Sequence, residues 1–181
     1  MTESTSVLNT PVLWINTYLQ EKLSAKINLD SNDLIPFFPT GPNTIETLTT
    51  TFPEGGVMAV WDRMFRMRRG PFPHIKCEQV LYYFYAQASN PIPKMVQIQE
   101  LTMRLLDRGD ESAQELNAWA KAKGNIGGME CKFYFHDFKI YQLEEARDIV
   151  DFGTARTYAG NKIIIDYDYH QMQDIIDSVN S

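Results

Sequence analysis

Apolar residues recur at Val12, Ile15, Leu19, Leu23 and Ile27, while Gln20, Glu21 and Lys22 fall on the outward side. That spacing predicts a helix over 11–28. Thr10-Pro11 gives it an N-cap followed by proline at the first helical position. Residues 1–10 are polar and predict a flexible N-terminus. From Val57 the period drops to two. Val57, Ala59, Trp61, Phe65 and Met67 fall on one face, and Met58, Val60, Asp62, Met64, Arg66 and Arg68 on the other. Gly70-Pro71-Phe72-Pro73 reads as a turn, and IKCEQVLYYFYAQ as a second strand rich in β-formers. Together they predict a long antiparallel hairpin.

Pro91 and Pro93 close the hairpin region. KMVQIQELTMRLLDR predicts a helix with Met95, Ile98, Leu101 and Leu105 inward. Gly109 ends it, and Asp110 is placed to cap a following helix, ESAQELNAWAKAK. Gly124, Gly127 and Gly128 make an exit loop. MECKFYFHDFKIYQL predicts a third strand, EEARDIV one or two helical turns, NKIIIDYDYHQM a last strand and QDIIDSV a short terminal helix. The order helix, two strands, two helices, two strands predicts an α+β domain over 11–181, a four-stranded antiparallel sheet with helices on one face.

One stretch does not fit this rhythm. Residues 29–56 hold four prolines and three glycines, with apolar residues only in clumps such as Leu34-Ile35 and Phe37-Phe38. A loop of this length inside a compact domain is functional or an arm. It docks on a neighbour through Phe37 and Phe38, or folds back as a lid on the core.

Composition narrows the class. With 181 residues, 44% of them hydrophobic and 12% aromatic, the chain can bury a sizeable core in one domain. Its apolar runs fall far short of the roughly 20 residues of a membrane helix. MTESTSVLNTPVL carries an acidic residue and no basic one, unlike a secretory signal. A soluble cytosolic protein without membrane contact is expected, with Cys77 and Cys131 as ordinary reduced thiols. The net charge of −6 argues against nucleic acid as the main ligand.

Candidate chemistry is sparse. There is no GxSxG, no Gly-rich phosphate loop of the right spacing, no HExxH and no zinc-ligand cluster, and histidine occurs only at His74, His136 and His170. In a strand, Asp166, Asp168 and His170 share one face at steps of about 7 Å. That is wide for ligands of one ion at about 2–2.5 Å each. The face reads instead as solvated or an interface, opposite the apolar Ile163, Ile165, Tyr167 and Tyr169. His136 in FYFHDF reads as a sheet-face histidine with a hydrogen-bond partner. Arg108-Gly109-Asp110 is a helix end and a helix cap. No enzyme, no cofactor and no metal are expected.

MFRMRRGPFP is the exception in an acidic chain. In a strand Arg66 and Arg68 point one way and Arg63 and Arg69 the other, so the four do not converge on a phosphate track. Arginine among Met and aromatics suits a protein interface, because its planar fork pairs with carboxylates and its stem packs on rings.

DLIPFFPTGPNTIE, AVWDRMFRMRRGPFPHIKCEQVLYYFYA, RLLDRGDESAQELNAWA and FYFHDFKIYQLEEARDIVDFGTARTYAGNKIIIDYDYH resemble a tail completion protein of contractile-tailed phages of the T-even kind, nearest to those of cyanobacterial phages. The resemblance spans about residues 33–171, and chain length favours the tail-tube terminator over a sheath-stabilising or other neck ring. It implies a structural virion protein at the tail–neck junction, assembled in the host cytoplasm. Such a protein forms a homo-oligomeric ring, a hexamer in the family. The ring caps the tail tube, ends its growth, and meets neck and sheath-stabilising proteins. Genomic DNA would pass through the ring without being held, as a negative chain suits.

The expected interface residues are physical choices: Arg63, Phe65, Arg66, Arg68 and Arg69 on the hairpin, Phe37 and Phe38 on the arm, and Asp166 and Asp168 as acidic partners across a subunit boundary. A closed ring joins two different patches, so one chain needs both signs of charge. Two other classes compete. One is a nucleic-acid module using the arginine hairpin and the aromatics Tyr82 to Tyr85. The other is a small enzyme using the Asp166 to His170 region.

Overall fold

The computed structural model describes residues 9–26, 37–38, 55–69, 72–86, 92–151 and 157–172. Most of the Pro-rich 29–56 stretch, the turn residues Gly70 and Pro71, and the terminal QDIIDSV lie outside them.

Helix α1, Pro11–Lys26, starts where the sequence placed it. The Leu13 N–H donates to Thr10 Oγ1 at 3.3 Å and to the Thr10 carbonyl at 3.1 Å, so Thr10 satisfies a donor that the first turn would otherwise orphan. Val12, Ile15, Leu19 and Leu23 form the expected buried stripe. Leu13, Trp14, Asn16 and Tyr18 are buried as well, so α1 is enclosed on nearly every side rather than lying half-wet on the surface. Lysine and tyrosine meet at its outer edge, where Lys22 Nζ sits 5.7 Å from the Tyr18 ring centroid.

Strands β2 (Gly55–Arg69) and β3 (Phe72–Ala86) pair antiparallel over their whole length, from Gly55↔Tyr85 to Arg69↔Phe72. The hairpin is therefore as long as its β-rich sequence implies. β6 (Phe133–Asp151) and β7 (Thr157–Gln171) form a second antiparallel pair, and β7 also lies beside β3. The sheet has five strands rather than four, in the order β1-β2-β3-β7-β6. The extra strand is β1, Phe37–Phe38, which pairs parallel with Val57 and Met58. A separate two-stranded piece, β4 (Asn125–Ile126) with β5 (Met129–Glu130), takes the start of the expected third strand. Its turn is Gly127-Gly128, both at positive φ (58° and 81°), as the tight primed turn requires.

Two local expectations fail for identifiable reasons. EEARDIV is not helical but the far half of β6, because Asp148, Ile149 and Val150 pair with Gly160, Ala159 and Tyr158 of β7, and ladder pairing overrides local helix propensity. Asp110 is the first residue of its helix, not the cap. Gly109 holds the N-cap position with φ 57°, and a Cβ there would stand 3.2 Å from Asp137 Oδ1.

Helices α2 (Ile92–Leu106) and α3 (Asp110–Lys123) complete an α+β fold. One sheet face carries buried Ile75, Cys77, Gln79 and Leu81 from β3, Ile163, Ile165, Tyr167 and Tyr169 from β7, and Phe135 and Phe138 from β6. Trp14 and Leu19 of α1, Ile98 and Leu105 of α2, and Leu116 of α3 join the same cluster. Burial pushes the Cys77 thiol up to about 12, so it behaves as a small apolar side chain. No helix among the described residues is long and apolar enough to cross a membrane.

Between Phe135 and Ile140 the outer edge of β6 is covered by the α2–α3 hairpin. Asn117 Nδ2 donates to the Phe135 carbonyl at 2.8 Å, and Asn117 Oδ1 accepts from the Phe135 N–H at 3.0 Å. The Gly109 N–H donates to the Phe138 carbonyl at 3.0 Å, and the Ile140 N–H donates to Asp107 Oδ1 at 2.9 Å. Each bond occupies a backbone group that an open edge would offer to another strand.

Arg108 ties the same hairpin together, reaching Glu111 at 2.9 Å and Glu115 at 2.6 Å. The Arg108 guanidinium holds the Glu115 carboxyl below its ordinary 4.5. A depressed carboxylate stabilises the fold above its unfolded pKa, and that contribution disappears as pH falls through the lower folded value. Thermal melts should accordingly show Glu115→Gln less stable than the parent at neutral pH. The gap should close as pH falls below 4.5. A gap that stays constant with pH would remove Glu115 from the acid response.

Candidate functional site

The sheet face turned away from the helices carries the charged and imidazole groups. β3 contributes His74, Lys76 and Glu78, which alternate with its buried positions, and β7 contributes Asp166, Asp168 and His170. The apolar face of Ile163, Ile165, Tyr167 and Tyr169 lies opposite them, as their period-two spacing implied. The two acidic positions expected at an interface are both engaged within the chain. Asp166 Oδ2 pairs with Lys76 Nζ at 2.7 Å, and Asp168 is buried at 4% exposure. Donating a hydrogen bond to the Asp166 carboxylate raises the Lys76 pKa. Lys76, Asp137, Lys139, Asp166, Tyr167 and Asp168 line a small polar cavity of about 60 Å³.

The arginine stretch is placed by its backbone register. Arg63 stands opposite Glu78, Phe65 opposite Lys76, Arg66 opposite Ile75, Arg68 opposite Pro73 and Arg69 opposite Phe72. The positions Val57, Ala59, Trp61, Phe65 and Met67, drawn as one apolar face, do not keep to one side of the register. A register shift between Trp61 and Arg63 breaks the alternation. Trp61 pairs with buried Gln79, whereas Phe65 and Met67 pair with Lys76 and His74 of the opposite face. Phe37 and Phe38 sit at the first edge of the sheet, so this piece of the expected arm is a paired strand.

The most concentrated chemistry is one that period reading passed over. His74, His136 and His170, all the histidines of the chain, meet on this face. One ring nitrogen from each lies within 4.8 Å of the others. His136 Nε2 and His170 Nδ1 are 2.6 Å apart, one donating and the other accepting according to tautomer. The His74 and His136 rings stack with centroids 4.2 Å apart and planes 15° apart. Tyr134 flanks the group, stacked on His170 at 5.3 Å.

A bulge helps to place His136. Phe135 pairs with Tyr169 and Phe138 with Tyr167, so His136 and Asp137 together oppose the single residue Asp168. The sequence reading of His136 as a hydrogen-bonded sheet histidine matches this geometry. The identity of its partner depended on β7 lying between β3 and β6, which spacing within one strand does not reveal.

Comparison of the chain with protein-family models and with curated proteins returned no match.

Proposed function

We propose that this chain is a structural protein of a contractile phage tail that closes into a ring on the tail tube, ends tube growth and joins it to the neck. The resemblance of residues 33–171 to tail completion proteins carries this reading. The α+β architecture and the long β2–β3 hairpin are compatible with it. In a head-to-tail ring one patch of each subunit meets a different patch of the next. Between Phe135 and Ile140 the edge at β6 has backbone groups occupied by the α2–α3 hairpin, which favours a contact on the β2 side, through Arg63, Phe65, Arg66, Arg68 and Arg69, with Phe37 and Phe38 alongside. Asp166 keeps a partly exposed side chain and remains an acidic partner in this scheme, whereas Asp168 is too buried to serve. The chain would work without catalysis.

Light scattering on the purified protein, alone and with the cognate tube protein, tests the reading. A ring of about six subunits, or a monomer that stops tube growth at a defined length, is expected. A monomer indifferent to tubes would overturn it and shift attention to a sheath-stabilising or other neck ring. Oligonucleotide binding that weakens with salt would favour the nucleic-acid module instead. Reversing charge with Arg66→Glu and Arg68→Glu together should abolish ring formation or tube capping. Intact assembly would show that these arginines lie outside the contact.

A further inference from the structure

We propose that His74, His136 and His170 form a binding site for a transition-metal cation of the zinc, cobalt, nickel or copper(II) class, with one imidazole nitrogen from each as ligand. The three residues come from three adjacent strands, β3, β6 and β7, so a paired backbone holds their Cα positions. Sites built on strands keep geometry better than sites on loops. Their ligand atoms already converge to within 4.8 Å. Tetrahedral coordination at about 2.0–2.1 Å per bond places ligand nitrogens about 3.3 Å apart. The 2.6 Å contact between His136 and His170 must open slightly, and the widest gap must close from at most 4.8 Å. The stacked His74 and His136 rings must splay for both lone pairs to aim at one point. Rotation about χ2, a broad torsion for histidine, supplies motion of that size without moving the strands.

A second observation points to a missing partner. His74 Nδ1 is buried and makes no hydrogen bond. Leaving such an atom unsatisfied is costly, and a metal bond would satisfy it. The donor set also selects the class of ion. Imidazole suits zinc, copper and nickel, whereas magnesium and calcium demand oxygen. The buried Asp168, two residues from His170 on the same strand face, adds negative charge near the site. Lys76 and the partly exposed Asp166 form an ion pair beside it. Three protein ligands leave a fourth corner for water or for a group from outside.

Metal binding at these histidines would be independent of ring formation. It is tested on full-length, tag-free protein stripped with a chelator and titrated with zinc chloride by calorimetry, with cobalt(II) absorption as a second probe. One zinc per chain at micromolar affinity or tighter is expected. His74→Gln, His136→Gln and His170→Gln should each weaken binding by about tenfold or more, since even residues that only orient ligands cost 10–100-fold. Circular dichroism confirms that each variant is folded. If a variant does not fold, 15N shifts of the imidazoles in the parent decide the matter, because zinc must move the signals of all three rings. No binding, binding unchanged in folded variants, or zinc that leaves any of the three rings unshifted would overturn the site and leave a proton-sharing histidine pair.

Discussion

Trp14→Ala should lower the stability of the fold by about 4 kcal/mol, the range for emptying a fully buried tryptophan site. Trp14 is completely buried within α1. Its ring meets Trp119 of α3 edge-on, with centroids 6.2 Å apart and planes at 73°. Its indole Nε1 donates to Asn9 Oδ1 at 2.8 Å, and Asn9 Nδ2 donates to the Glu130 carbonyl at 2.8 Å. The side chain thus joins α1 to α3 and, through Asn9, to the β4–β5 hairpin. Alanine removes the packing and the bond together. For a chain of this size the loss corresponds to a Tm drop of about 10 °C. Trp14→Phe separates the two contributions: it keeps an aromatic ring, and losing the indole bond should cost only about 1 kcal/mol beyond the change in packing. Urea denaturation of the three proteins measures both. A loss below about 1 kcal/mol for Trp14→Ala would mean that the site collapses without a cavity, and that α1 is not fixed to the core as described.

Trp14 also shows where sequence reading stops. The stripe of Val12, Ile15, Leu19 and Leu23 was legible because helical spacing needs only one wet side to stand out. Leu13, Trp14 and Tyr18 were not, because a helix covered on most sides loses that contrast. The same logic runs through the sheet. The apolar face of β7 was readable since its polar neighbours lie on the other side. The faces of β2 were misread beyond Trp61, because an irregularity at Asp62 leaves no mark in composition yet shifts every later residue. EEARDIV has helix-forming residues, and its strand state arises from pairing with β7, a neighbour that local propensity does not see. The histidine group is the clearest case. Three isolated histidines at 74, 136 and 170 carry no motif, and only the strand order β3-β7-β6 joins them. The arginine interface rests on chemistry and resemblance, and the register adds only where each arginine stands along the hairpin.

Gln79→Leu should cost about 3 kcal/mol, although leucine is apolar and of similar size. Gln79 is fully buried on the helix-covered face of β3, where Cys77 and Leu81 flank it. Its Nε2 donates to Asn16 Oδ1 at 3.4 Å, and its Oε1 accepts from the Tyr167 hydroxyl at 3.2 Å. A polar chain therefore crosses the core from α1 through β3 to β7. Leucine fills the space but takes one of their partners from Asn16 and from Tyr167. Each bond lost inside the protein costs about 1–3 kcal/mol. Removing a hydroxyl along with the group it bonds is cheaper than leaving that bond unmade. Adding Tyr167→Phe to Gln79→Leu should accordingly recover about 1 kcal/mol, and the two substitutions should be non-additive by at least that amount in a double-mutant cycle. Urea midpoints at a constant m-value read the effect directly. If the two losses simply add, the hydroxyl of Tyr167 draws its stabilisation from elsewhere. The role of Gln79 is then to fill volume between α1 and the sheet, not to connect them.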